Sequence, residues 1–298
     1  MLDLTHVRSF IALAEELHFG QAARRLNMTQ PPLSRQIRLL EEELGVRLFD
    51  RNSHAVALAA AGRAFLPEAR ALLAASEAAA AAARRAARTR SGGSVTLGFI
   101  GASTYAYLPR LVARARAELP DTELLLKEMS GAAQVEALTL GRIDLGLVRP
   151  LGGASPLMAS CVMREELALA IPLGHRLAGR RRAPLRELEG EPFITYSAEG
   201  PYMRALLSNA FQAAGVRPKV VQAVSQAQTI LSLVSAGLGL AIVPGEVRAA
   251  SFDNVAFRAI DAFPAPSAEL HAIWRPEDRN PVLAPLRELS HQVMAPRS

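Results

Sequence analysis

The sequence predicts a multidomain chain of mixed α+β and α/β class, and three observations carry that reading. Three short amphipathic segments open the chain around a tight three-residue break; a long alanine- and arginine-rich segment at helical spacing follows; and beyond a glycine-serine linker, short apolar runs alternate with amphipathic helices. The divisions fall at residues 1–58, 59–90 and 91–298.

Val7, Phe10, Ile11, Ala14 and Leu17 recur at helical spacing and give a first helix. Phe19, Ala23 and Leu26 give a short second helix starting near Gly20, and Leu33, Ile37, Leu40 and Leu44 a third that stops at Gly45. Only Asn27, Met28 and Thr29 separate the last two, the tight turn that a helix-turn-helix needs. Val46 to Phe49 and Ala55 to Leu58 are short β-prone runs around a polar turn at Asn52-Ser53, which reads as a two-stranded wing. The first domain is therefore expected to be a winged helix-turn-helix.

Residues 60 to 89 form the long helix, with Leu66, Ala69, Leu73, Ser76, Ala80, Ala83 and Ala87 in steps of three and four. That is the seam spacing of a coiled coil, and its small residues allow the same helix of a second subunit to approach closely. The other reading is a spacer lying on its own domain. Pro67 is expected to bend this helix or to mark where its straight part begins.

Ser91-Gly92-Gly93-Ser94 is a linker. After it, strands at Val95 to Phe99, Glu123 to Lys127 and Ile143 to Val148 enclose helices at Leu108 to Glu118 and Ala132 to Leu140, a βαβαβ pattern that implies a parallel sheet. A second set follows, with strands at Leu167 to Ile171, Phe193 to Tyr196, Lys219 to Gln222 and Leu240 to Val243 and helices at Met203 to Ala214 and Gln226 to Ala236. Val255 to Ile260 and Leu270 to Trp274 are further strands, and Pro281 to Val293 a closing helix. Two α/β lobes result, one of about residues 91–163 and 267–298, the other of about 164–266, in the manner of periplasmic binding proteins. Crevices between such lobes bind ligands where strand ends meet helix N-termini.

Composition narrows the function. Half the 298 residues are hydrophobic and 21% are charged, which reads as globular rather than disordered. The net charge of +6 is compatible with nucleic acid, yet residues 1–58 carry seven Arg against seven Asp or Glu, and the excess lies in Arg63, Arg70, Arg84, Arg85, Arg88 and Arg90 against Glu68 and Glu77. Cys161 is the only cysteine, so no intrachain disulfide forms; it is expected as a small buried apolar residue in a reducing compartment. Asp3, Glu15 and Glu16 are foreign to a signal peptide, and the best apolar stretch, Leu231 to Val243, is short and broken by glycines, so a cytoplasmic protein without a membrane partner is expected. The six histidines show no metal-ligand spacing, and G-x-S-x-G, P-loop and dinucleotide fingerprints are missing, so no enzyme, metal or cofactor is expected.

On the third helix Leu33, Ile37, Leu40 and Leu44 occupy one stripe, which leaves Ser34, Arg35 and Arg38 on the opposite side. Thr29 is expected as its N-cap, and Pro31 and Pro32 suit a first turn whose amides lack helical partners. Gln30, Ser34 and Arg35 then project from the end that enters a major groove in such motifs, where Gln pairs with adenine and Arg with guanine. A plain solvated helix face has the same pattern.

The run His18-Phe19-Gly20-Gln21-Ala22-Ala23, continuing through Leu26-Asn27-Met28-Thr29-Gln30-Pro31-Pro32-Leu33-Ser34-Arg35-Gln36-Ile37 to Leu48-Phe49-Asp50-Arg51, closely resembles the LysR-type transcriptional regulators. The similarity runs along nearly the whole chain. It implies double-stranded DNA as partner, with Gln30, Pro31, Ser34 and Arg35 in the major groove and Arg51 of the wing near the minor groove or backbone. It also implies a homodimer or homotetramer, contact with RNA polymerase, and activation of a divergent operon. The family normally caps the linker helix with threonine, where this chain has Ala59.

The second half resembles the branch of that family which answers to aromatic-catabolism intermediates such as muconates and benzoates. Leu97-Gly98-Phe99-Ile100-Gly101, Gln134-Val135-Glu136-Ala137-Leu138, Gly141-Arg142-Ile143-Asp144-Leu145-Gly146 and Gln228-Thr229-Ile230 carry that resemblance. Ser103 and Thr104 lie past the first strand, and Ser130 and Gly131 past the second, both ahead of helices whose free amides suit a carboxylate. Arg149 offers a bidentate contact, Pro201 and Tyr202 close the cleft from the other lobe, and Thr229 begins another cleft-facing helix. Where the branch usually has serine directly after the glycine, this chain has Ala102, and the hydroxyl moves to Ser103. A free solute-binding protein is the rival reading; it lacks a helix-turn-helix.

Overall fold

The computed structural model describes residues 2–51, 56–88, 93–153, 155–250, 252–262, 265–278 and 280–294. Two compact units make up the chain, one of Met1–Arg84 with Leu140–Arg142 and one of Arg85–Thr139 with Ile143–Ser298.

The first unit opens with α1 (Leu4–Glu16), α2 (Phe19–Arg25) and α3 (Gln30–Leu44). Asp3 caps α1 by accepting from the Thr5 amide at 2.7 Å, and the His18 ring caps α2 by accepting at Nδ1 from Gly20 and Gln21. The turn into α3 places Asn27 at φ 53°, a left-handed conformation that asparagine tolerates better than most residues. Val7, Phe10, Leu13, Leu33, Ile37 and Leu40 are fully buried together, so the stripe read from α3 is the face that packs on α1. Each such side chain stabilises the unit by roughly 1.5–3 kcal/mol.

The wing strands are β1 (Phe49–Arg51) and β2 (Val56–Leu58), paired antiparallel, and the expected turn at Asn52-Ser53 lies outside the described residues. The first strand begins at Phe49 rather than at Val46. Val46 is exposed, and the Glu41 carboxylate of α3 accepts from the amides of Leu48 and Phe49 at 2.8 and 3.1 Å, which pins the strand's approach to the helix instead of to a sheet. Then α4 (Ala60–Arg88) runs unbroken through Pro67. Its expected seam divides: Ala69 is buried, with Leu66 and Leu73 beside it, in the core of its own unit, whereas Ala80 and Ala83 are exposed.

In the second unit, β3 (Ser94–Phe99) lies between β4 (Glu123–Glu128) and β5 (Leu145–Val148), all parallel, with α5 (Tyr107–Glu118) and α6 (Gly131–Thr139) as crossovers. The strand sequence reading missed most is β6 (Met158–Pro172). Its first half pairs with β12 (Ser267–Trp274) from Met158 to Glu166, and its second half pairs with β10 (Ala241–Pro244) and β11 (Val255–Asp261) from Leu167 to Pro172. One continuous strand thus passes from lobe to lobe. Only Leu167 to Ile171 is uniformly apolar; the charged run Arg164-Glu165-Glu166 concealed the rest.

The sheet order is β4-β3-β5-β12-β6-β11-β7, with the short β7 (Arg182–Pro184) at one edge and β10 also on β6. The second lobe adds β8 (Pro192–Tyr196) parallel to β9 (Lys219–Val224), with α7 (Pro201–Ala214) and α8 (Ala227–Ser235). The closing α9 (Leu283–Gln292) packs Leu283, Leu286 and Leu289 into the first lobe's core with Leu97, Leu111, Leu145 and Leu270. Phe193, Ile194, Ile230, Leu231 and Ile242 centre the other.

Candidate functional site

Along α3, Gln30, Pro31, Pro32, Arg35 and Arg38 are exposed and Ser34 is half-buried, over a stripe of Leu33, Ile37 and Leu40 that solvent does not reach. Thr29 has the extended backbone of an N-cap, but its hydroxyl makes no capping bond. The cause is local: a cap side chain accepts from the amides two and three residues on, and Pro31 and Pro32 have none. The prolines therefore leave the Thr29 hydroxyl free of a capping duty. Arg38 sits 3.5 Å from Glu42 one turn along, whereas Arg35 has no ion-pair partner among the described residues. Arg51 ends β1, and its side chain lies outside what the structure describes.

Two further residues of this unit have roles that the sequence did not assign. Ser9 donates to Gln36 at 2.6 Å and ties α1 to α3, and Glu41 anchors the wing as described. Ser9 and Gln36 lie 27 residues apart, and Glu41 reaches past the end of its own helix, so helical periodicity reveals neither contact.

Between the lobes, a cavity of about 580 Å³ is lined by Gly101, Ala102, Thr104 and Tyr105 after β3, Glu128 at the end of β4, and Gln226, Gln228 and Thr229 at the start of α8. Thr104 and Thr229 of the expected set are there. Ser103 is not: it is fully buried and donates to the Ile100 carbonyl at 2.8 Å, so its hydroxyl closes its own turn. The shift of the hydroxyl by one position from Ala102 took it out of the cavity. Ser130 is exposed and accepts from the Ala133 amide at 3.3 Å, and Gly131 opens α6; neither lines this cavity. Glu128, Gln226 and Gln228 are not among the expected site residues, although they make the cavity wall polar.

Arg149 is committed elsewhere. Its guanidinium donates to the buried Glu165 carboxylate at 3.0 Å and to the Glu269 carbonyl at 2.9 Å. Glu165 in turn accepts from the Glu246 amide at 2.8 Å, and Glu246 from the Tyr107 amide at 3.2 Å. Burial, and then the Glu165 charge, push the Glu246 carboxyl above its usual range. Tyr196, buried beside this group, has no hydrogen-bond partner for its hydroxyl among the described residues, and burial raises its pKa. The Tyr202 hydroxyl accepts from the Glu269 amide at 3.0 Å, linking α7 to β12, while Pro201 starts α7 at an exposed position. Of the expected residues, Thr104 and Thr229 are at the cavity, and Arg149 and Tyr202 make contacts around the strand that joins the lobes.

Comparison with known proteins agrees with both units. Residues 4–63 match the family described as bacterial regulatory helix-turn-helix protein, lysR family, and residues 88–295 match the LysR substrate binding domain. The chain is a LysR-type transcriptional regulator. It is a DNA-binding regulator with an effector-binding domain, and relatives carry regulator rather than enzyme names. The regulator is 37% identical over 283 residues to the HTH-type transcriptional regulator AlsR of Bacillus subtilis, covering 95% of this chain and 93% of AlsR. It is similar to full-length CbnR in complex with its target DNA (TM-score 0.74, 29% identity, 98% of this chain and 100% of that one). The second unit is similar to the BenM effector-binding domain with its effector benzoate (TM-score 0.60, 25% identity, 67% of this chain and 91% of that one). Among the described residues no helix is long and apolar enough to cross a membrane.

Proposed function

We propose that the regulator reads its operator with Gln30, Pro31, Ser34 and Arg35 in the major groove, supported by Thr29, Pro32 and Arg38 and by Arg51 of the wing, and that a small carboxylate-bearing effector held between the two lobes controls it. The observation that supports the first part is the exposure of Gln30 and Arg35 over the buried Leu33, Ile37 and Leu40. A bidentate Arg-guanine pair discriminates by roughly 1–3 kcal/mol. Arg35→Ala is expected to lose sequence preference while retaining salt-sensitive binding to any duplex. Footprints of unchanged preference would remove Arg35 from the reading face.

For the effector, an aromatic acid or muconate-like anion, the supporting features are the polar inter-lobe cavity with Thr104 and Thr229 and the neighbouring α8 N-terminus. Ser130, Gly131, Arg149, Pro201 and Tyr202 belong to the proposal as groups that a closing cleft brings in; Ser103 supports the turn from beneath. A thermal-shift panel of benzoates and muconates tests it, with the wild type shifting more than Thr104→Val or Ser130→Ala. Equal shifts in all three proteins would exclude both hydroxyls.

The proposed assembly is a homodimer or homotetramer paired through the part of α4 that carries the exposed Ala80 and Ala83, acting in the cytoplasm with RNA polymerase. The proposed divisions are residues 1–58 for DNA, 59–90 for pairing, and 91–298 for the effector. Ligand closing the lobes moves the DNA-binding domains only if it favours one subunit arrangement.

A further inference from the structure

We propose that Cys161, Glu269 and His271 form a binding site for a divalent transition-metal ion of the zinc type, a site apart from the inter-lobe cavity. Sequence spacing conceals it, because the three ligands come from two strands that are distant in the chain. The sheet brings them together: in the antiparallel β6-β12 ladder His271 lies directly opposite Cys161, and Glu269 opposite Arg164. The register slips between Leu270 and His271, where Val162 of β6 is the extra residue. Val162 and Met163 are both buried, so the bulge turns Cys161 and Arg164, on either side of them, toward the same outer face as Glu269 and His271. Without the bulge Cys161 would oppose Ala272, and its sulfur would have no histidine neighbour.

One ligand atom from each residue lies within 4.8 Å of the other two. The Glu269 Oε2 atom is 2.9 Å from His271 Nε2, while Arg164 holds Oε1 through Nη2 at 2.5 Å and Nε at 3.1 Å. Arg164 thus fixes the carboxylate with its second oxygen directed at the imidazole. Cys161, contrary to the expectation of a small buried residue, is exposed, and among the described residues its thiol donates only to the Met163 carbonyl, at 3.4 Å. In a tetrahedral shell of one sulfur, one nitrogen and one oxygen, ligand atoms stand about 3.3–3.7 Å apart, a spacing these side chains reach by rotation. Thiolate and imidazole favour zinc-like ions over calcium or magnesium, and the fourth position stays open to water. On binding, the Cys161 thiol gives its proton to solvent, and the proton between His271 Nε2 and Glu269 passes to Nδ1 of a neutral ring, or to solvent from a charged one, which frees Nε2 for the ion.

The probe is cobalt(II), titrated into the chelator-stripped full-length protein under reducing conditions. The expected result is a near-ultraviolet thiolate-to-cobalt charge-transfer band that saturates at one ion per chain and is displaced by zinc(II). Cys161→Ser abolishes the band, and His271→Gln and Glu269→Gln each weaken binding by about tenfold or more. In the wild type, saturating zinc slows alkylation of Cys161 about tenfold or more, a readout that stands even if a variant folds poorly. No band in the wild type, no protection of Cys161, or a band unchanged in His271→Gln and Glu269→Gln would overturn the site.

Discussion

Arg149 was expected as an anion contact, and its neighbours give it a second duty. Its side chain is 11% exposed and that of Glu165 6%, so each ion would be unpaired in a dry place if the other were removed. Arg149→Ala is expected to destabilise the second unit by about 3 kcal/mol or more, with Glu165→Gln restoring part of the loss. Urea unfolding of the two single variants and the double variant checks this. Glu246 has the opposite character. Its folded pKa is raised by burial and by Glu165, so its ionised form weakens the fold. That penalty is missing below the ordinary carboxylate range and grows as pH rises through the folded pKa. Glu246→Gln, which keeps an oxygen for the Tyr107 amide, should raise the melting temperature near pH 7.5 and leave it unchanged near pH 4. A variant that melts lower at pH 7.5 would show that the charge is favourable there.

At the scale of elements, the start of α4 depends on a close approach that periodicity does not register. A Cβ added at Gly62 would stand 2.1 Å from the Leu48 carbonyl oxygen, a fixed backbone atom. Gly62→Ala must therefore push the helix off the wing, at a cost of roughly 1–3 kcal/mol, although alanine is the better helix former. Thermal melts of the variant measure that cost, and an unchanged midpoint would mean the contact yields freely. His18 is a subtler case, since its ring caps α2 where serine or asparagine is more usual. His18→Ala should lose about 1 kcal/mol, and His18→Asn should recover most of it.

For the whole molecule, β6 makes the two lobes one sheet-linked body, with the Arg149-Glu165-Glu246 group at the changeover from one set of partners to the other. Operator binding that rests on arginine-phosphate contacts should weaken steeply with salt, with a slope of about −0.9 per phosphate engaged. Titrations from low to physiological salt test this, and a flat response would count against phosphate anchoring.

The amphipathic stripe of α3, the tight turn at Asn27, the long fourth helix and the alternating strands were legible in the sequence, because each is written in neighbours three or four residues apart or two apart. The family motif lies in the same local stretch. What the tertiary structure decided is which distant groups meet: Ser103 inside its own turn, Arg149 on Glu165, β6 shared by two lobes, and Cys161 across from His271. Periodicity reports which face of an element is buried, whereas partners depend on strand register and bulges, and those are fixed only when the whole core packs.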